Sequence, residues 1–162
     1  MDLEKHEIKA KDALKANKKL LQQIKKKKPK NLDAVVHELH DDAFEQIDCL
    51  ECANCCKSIS PIVTDKDIQR IAKKLRMKPS AFVAEFLNLD SENDYVFKKQ
   101  PCPFLGEDNY CSIYEARPKA CAEYPHTDRR KFIQLLPLSL KNTVICPAVL
   151  QVFVGLEEEY NR

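Results

Sequence analysis

The stretch Cys49-Leu50-Glu51-Cys52-Ala53-Asn54-Cys55-Cys56 sets four sulfurs within eight residues, at steps of three, three and one. A CxxC turn lets two thiolates converge on one ion while nearby backbone amides offset their charge. Two such turns in series, with a further cysteine alongside, exceed what a single tetrahedral ion accepts without strain. Cys55 and Cys56 point different ways from adjoining residues and are expected to serve two centres. The other four cysteines, Cys102, Cys111, Cys121 and Cys146, come from four separate segments. Cys102 and Cys146 adjoin prolines and Cys121 follows the proline-started segment at Pro118, so three of the four sit on stiffened backbone.

The rest of the composition narrows the chemistry. The chain has 162 residues, room for one domain with a core and extensions, and 44% of it is hydrophobic. Its only glycines, Gly106 and Gly155, are too far apart for a GxGxxG turn, a Walker A loop or a GxSxG elbow, so the common nucleotide-binding and serine-hydrolase motifs are excluded. Residues 1–28 show no apolar signal segment, and the most apolar stretch, 148–156, is interrupted by Gln151. No membrane span is expected, and a cytoplasmic location follows as the simplest reading. Thiols stay reduced there, so eight cysteines are expected to hold metal rather than to pair in one of 105 possible disulfide patterns. Thiolate ligation by two divalent ions would move the formal charge from +2 to about −2, which removes the compositional case for nucleic acid.

Working outward from the cysteines, residues 1–28 carry Leu3, Ala10, Leu14, Leu21 and Ile24 on a narrow helical seam, ending at Lys25–Lys28 and Pro29. After a candidate N-cap at Asn31, Leu32, Val35, Val36, Leu39, Ala43 and Ile47 form a second amphipathic face up to Asp48. The two read as an antiparallel helical hairpin over 1–48, joined to a cysteine-cluster domain over 49–162. An extended Ile59–Val63 precedes a helix marked by a Thr64/Asp67 capping box and a Val63/Ile68 staple. A further helix starts at Ser80 and buries Phe82, Val83, Phe86 and Leu87, and Tyr95–Lys99 and Tyr110–Tyr114 read as short strands. Pro118 and Pro147 are expected at the first positions of two more helices, with a strand competing at the second. The fold class is therefore mainly α, with a short β-hairpin and irregular loops organised by metal, because the apolar pattern of the middle is too discontinuous to order them alone.

Soft thiol donors select zinc, Cu(I) or iron over calcium and magnesium. Zinc fits two closed four-cysteine sites or a shared cluster. Iron–sulfur has an echo in the triple Cys49, Cys52, Cys55, since bacterial ferredoxins use CxxCxxC followed by Cys-Pro, but the Cys-Pro pairs here lie far away. The CxxxCxxC spacing of radical adenosylmethionine enzymes is absent. In these residues the chain resembles the YkgJ-type cysteine-cluster family of signature CxxCxxCC, whose name leaves zinc and iron open as the chelated metal. The likeness runs through Cys49–Cys56, then Pro101-Cys102-Pro103-Phe104-Leu105, then Cys111-Ser112-Ile113-Tyr114, Arg117-Pro118 and Cys121, then Tyr124-Pro125 and Cys146-Pro147. It implies that Cys49, Cys52, Cys55, Cys56, Cys102, Cys111, Cys121 and Cys146 are all metal ligands. A flagellin lysine methylase is similar in this cluster but longer.

Other residues have plainer expectations. His37 and His40 form HELH rather than HExxH and are expected on a polar face, and His126 is the better of the histidine candidates through its proximity to Cys121. Arg117 is expected to brace the turn at Pro118 or to balance thiolate charge. Tyr114 and Tyr124 should be half-buried, and Phe104 and Leu105 should wall the cluster off from water. The function expected is chelation of zinc or iron by eight thiolates; the rival is an iron–sulfur redox enzyme or electron carrier. Either is compatible with a protein partner docking on residues 1–48.

Overall fold

A computed structural model describes residues 2–161. In chain order it has α1 (Leu3–Lys27), α2 (Leu32–Gln46), α3 (Cys49–Cys52), α4 (Asn54–Ser58), α5 (Asp65–Lys74), α6 (Pro79–Phe86), β1 (Leu87–Leu89), β2 (Tyr95–Phe97), a 3-10 turn at Tyr114–Ala116, α7 (Lys119–Glu123), α8 (Phe132–Asn142) and α9 (Pro147–Tyr160). The mainly helical class with one two-stranded hairpin holds. Chain contacts divide it into two compact units, one of residues up to Cys52 with those from Pro125 onward, the other Ala53–Tyr124.

In the first unit α1 and α2 pack on α8 and α9 more than on each other. Leu20, Leu21 and Ile24 of α1, Val36 and Ala43 of α2, Phe132 and Leu136 of α8, and Val149, Val152, Phe153 and Leu156 of α9 share one apolar core. Ile8 is the one large apolar side chain of α1 and α2 left exposed among the described residues. α1 stops where its last turn is cationic and Lys28 turns left-handed (φ 47°), its amide donating to the Ile24 carbonyl. Asn31 occupies the cap position of α2 without a side-chain cap bond, and its Oδ1 instead accepts from the Tyr160 hydroxyl at 3.2 Å. Asp33, two residues on, caps a different helix: its carboxylate accepts from the Lys131 and Phe132 amides at 2.7 and 2.9 Å and so starts α8.

The sequence signals no element over α8. Pro137 in its interior removes a ladder donor, yet Phe132, Leu136 and Ser139 at helical spacing are buried and outweigh that loss. Pro147 does open α9, and helix prevails over strand there because Val149, Val152, Phe153 and Leu156 all face the apolar core.

In the second unit the capping box at the start of α5 forms as expected. Thr64 Oγ1 accepts from the Asp67 amide at 3.2 Å, and Asp67 Oδ2 accepts from the Thr64 amide at 2.9 Å. α6 begins at Pro79 itself, and Leu87, expected at the helix end, opens β1 instead. β1 pairs antiparallel with β2 in the register Leu87↔Phe97, Asn88↔Val96, Leu89↔Tyr95. The loop between them closes on the Asp90 carboxylate, which accepts from the Glu92 and Asp94 amides, with Asn93 left-handed.

Tyr110–Tyr114 is not a strand of this hairpin. Its backbone bonds are used locally: Gly106 donates to the Tyr110 carbonyl, Ser112 to the Phe104 carbonyl, and Cys111 makes only an isolated bridge to Leu105 before the 3-10 turn begins. Pro118 caps α7 rather than occupying its first position. Val63, Ile68, Ile71, Phe82, Leu87, Phe97, Phe104 and Ile113 form a continuous core. The helices and hairpin of this unit thus have apolar support of their own, contrary to the expected discontinuity, and Phe104 and Ile113 anchor the loops that carry Cys102 and Cys111 to it.

Candidate metal centre

All eight cysteines are thiols rather than halves of disulfides. Three of them, Cys49, Cys52 and Cys146, belong to the first unit, and five, Cys55, Cys56, Cys102, Cys111 and Cys121, to the second. The signature is two short helical turns. Asp48 Oδ1 accepts from the Leu50 amide at 2.8 Å and starts the first, while Ala53, left-handed at φ 46°, separates it from the second.

In the second unit, the Cys102 amide donates to the Cys56 carbonyl at 2.8 Å, which fastens the Pro101–Pro103 loop to the signature. Phe104 then turns inward, its ring 5.0 Å from Phe86 and 5.6 Å from Phe97, and Cys102 and Cys111 pack against the same apolar core. The dry wall is therefore real for buried Phe104, with Leu105 half-buried.

α7 carries Cys121, and its entrance is held by Asp67, which the sequence marks only as helix-cap chemistry, and by Arg70, which the sequence does not mark at all. Asp67 Oδ1 accepts from the Lys119 amide at 3.1 Å and from Arg70 Nη2 at 2.6 Å, while Arg70 also donates to the Arg117 carbonyl at 2.7 Å. A separation of 52 residues between Asp67 and Lys119 leaves no local pattern that could signal this tie. Arg117 braces the turn as expected: its Nη1 donates to the Tyr114 carbonyl at 2.7 Å and its guanidinium lies 3.8 Å from the Tyr114 ring centroid. Tyr114, expected half-buried, is 55% exposed, because the guanidinium rather than the core covers its ring.

The electrostatics of the thiols follow from this crowding. Cys121 is pushed up to about 12, first by burial and then by Cys56, Cys102 and Cys111, with Arg117 opposing. Burial also raises Cys102 and Cys111; the Phe104 amide opposes it at Cys102 and the Ile113 amide at Cys111, while Cys56 adds to it at both. Cys56 goes the other way, to about 7, because the Cys55 thiol donates to it, against burial and with help from Lys57. In the first unit Cys146 is pushed up to about 11 by burial, opposed by the Val149 and Ala148 amides and reinforced by Cys49 and Cys52. Cys146 caps the N-terminus of α9, where the helix dipole favours a thiolate, but burial outweighs that.

Cys56, Cys102, Cys111 and Cys121 are thus mutual electrostatic neighbours, and Cys49 and Cys52 both act on Cys146. Deprotonating the larger set piles up negative charge in partly buried surroundings, opposed by Arg117 and Lys57. A divalent cation is the counter-charge such a soft donor set fits. Among the described residues, no three His, Cys, Asp or Glu side chains close into a shell ready to hold an ion.

The histidines are engaged elsewhere. His37 Nε2 lies 3.3 Å from the Arg129 carbonyl, and His40 Nδ1 lies 2.6 Å from Thr127 Oγ1 with its ring against Phe44. His126 is half-buried and left-handed at φ 67°. No helix among the described residues is long and apolar enough to cross a membrane.

A family model described as CxxCxxCC, "Putative zinc- or iron-chelating domain", matches residues 48–143. Neither a curated protein nor a solved structure matches the chain.

Proposed function

The chain belongs to the CxxCxxCC family, described as zinc- or iron-chelating, and on that premise we propose that its eight cysteines are the chelating groups. Cys56, Cys102, Cys111 and Cys121 act as a four-thiolate set within the second unit. Cys49, Cys52 and Cys146 act together in the first, and Cys55 supports Cys56. What supports the reading is that the four second-unit thiols, from the signature and three distant segments, influence one another, with the Cys102 amide bonded to the Cys56 carbonyl. Zinc or iron, when bound, supplies the positive charge that lets these thiols remain deprotonated together. The protein supplies orientation, through the Asp67–Arg70 brace on α7 and the Cys102–Cys56 backbone bond, and exclusion of water, through Phe104.

The ferredoxin-like triple of Cys49, Cys52 and Cys55 favours a second reading, an iron–sulfur centre with redox work, and one sample separates the two. Protein isolated without air is expected to carry zinc or iron, with X-ray absorption showing sulfur neighbours at ~2.3 Å if the metal is zinc. A colourless zinc protein supports closed thiolate sites; a brown one absorbing broadly near ~400 nm supports iron–sulfur. Protein that binds neither metal while all its thiols titrate would overturn both readings.

A further inference from the structure

Within the second unit a cleft of ≈ 370 Å³ runs between the first turns of α5 and the segment 115–122. That volume is in the range of small-ligand clefts, about 300–1,000 Å³. Four cations, Lys66, Arg70, Arg117 and Lys119, line it against two carboxylates, Asp67 and Glu115. The carboxylates do not cancel the cations evenly. Asp67 is 1% exposed and already accepts from Thr64, Arg70 and the Lys119 amide, so it faces inward and offsets Arg70.

Three cations are left against Glu115. The Lys66 ammonium pairs with no side chain among the described residues. Lys119 Nζ forms a long, exposed ion pair with Glu123 at 3.7 Å, its side chain 69% exposed, an arrangement that leaves its ammonium accessible. Arg117 commits Nη1 to the Tyr114 carbonyl and one face to the Tyr114 ring, leaving the rest of its planar fork open among the described residues. A guanidinium fork beside two ammoniums suits the paired oxygens of a phosphate or carboxylate.

We propose that this cleft is an oxyanion-binding site, taking the phosphate or carboxylate group of a small molecule between Lys66, Arg117 and Lys119. The site goes beyond metal chelation and does not require it, although Arg117 also influences Cys111 and Cys121.

The full chain as isolated, at low ionic strength, is titrated with inorganic phosphate and separately with succinate, by calorimetry or amide chemical shifts. Saturable binding of at least one is expected, weakening as salt is added. Lys66→Gln and Lys119→Gln are each expected to weaken it about threefold or more. Phosphate alone binding identifies a phosphoryl ligand, and succinate alone a carboxylate; either supports the site. Failure of both anions to saturate, or wild-type affinity in both variants, overturns it. Metal content is read on the same samples. A metal-bound protein that ignores both anions sinks the cleft alone, and a metal-free protein that binds them sinks only the chelation.

Discussion

At the scale of single residues, Asp67 ties the most together. It is buried, shares in the capping box of α5, pairs with Arg70 and receives the Lys119 amide at the start of α7. Burial raises its pKa, but the bonds from Thr64, Arg70 and Lys119 outweigh this and hold it below the usual carboxylate range. Its folded pKa lies below its unfolded one, so its stabilising effect is complete above the unfolded value of about 3.9 and is lost as pH falls through the folded value. Asp67→Asn is expected to lower stability at pH 7 by ~1–3 kcal/mol and to flatten the acid side of the stability profile, measured by urea unfolding between pH 7 and 3. An unchanged acid limb would show that the brace carries no charge dependence. Sequence makes half of this visible. Thr64 and Asp67 at cap spacing announce the helix start, whereas the bond to Lys119 is a consequence of folding. The cysteines are the opposite case: Cys49, Cys52 and Cys55 stand out by CxxC spacing alone, whereas Cys102, Cys111, Cys121 and Cys146 join them as candidates through the family resemblance.

At the scale of elements, α9 and α2 meet at Gly155. A Cβ there would collide with the Leu39 methyl groups. On an exposed helix face Gly→Ala gains about 1 kcal/mol of helix propensity, while overpacking a close contact costs about 1–3 kcal/mol. Gly155→Ala is therefore expected to lower the thermal midpoint despite its better propensity, as scanning calorimetry would read; a raised midpoint would mean Leu39 simply rotates away. The same balance explains which elements are legible. α1, α2 and α5 carry their own apolar stripe or cap and are readable without partners, whereas α9 is decided against a strand only by the core it faces. α8 is not readable, because Pro137 argues against a helix locally and only the core burial of Phe132 and Leu136 decides otherwise. The partner of β2 was equally hidden: Leu87–Leu89 continues the apolar run of α6, and nothing before folding tells its last residue from a first strand residue. The Tyr110–Tyr114 segment looks like a strand by composition, but Gly106 and Asp108 bend the chain and use its backbone bonds in a turn.

At the scale of the molecule, two regimes of stability coexist. α5, α6 and the β-hairpin share an apolar core. The segments bearing the thiols are short turns and loops, held by a few backbone bonds such as Cys102 to Cys56 and Ile59 to Cys55. Structural thiolate sites contribute ~10 kcal/mol or more, comparable with the 5–15 kcal/mol net stability of a domain. If bound metal organises those loops, removing it should act locally rather than melt the whole second unit. Hydrogen exchange before and after chelation, with metal loss verified on the same sample, tests this most directly. The account predicts that amide protection collapses over 49–58, 98–112 and 117–124 while 65–86 keeps most of its own; unaltered protection in all three loops after complete metal removal would contradict it.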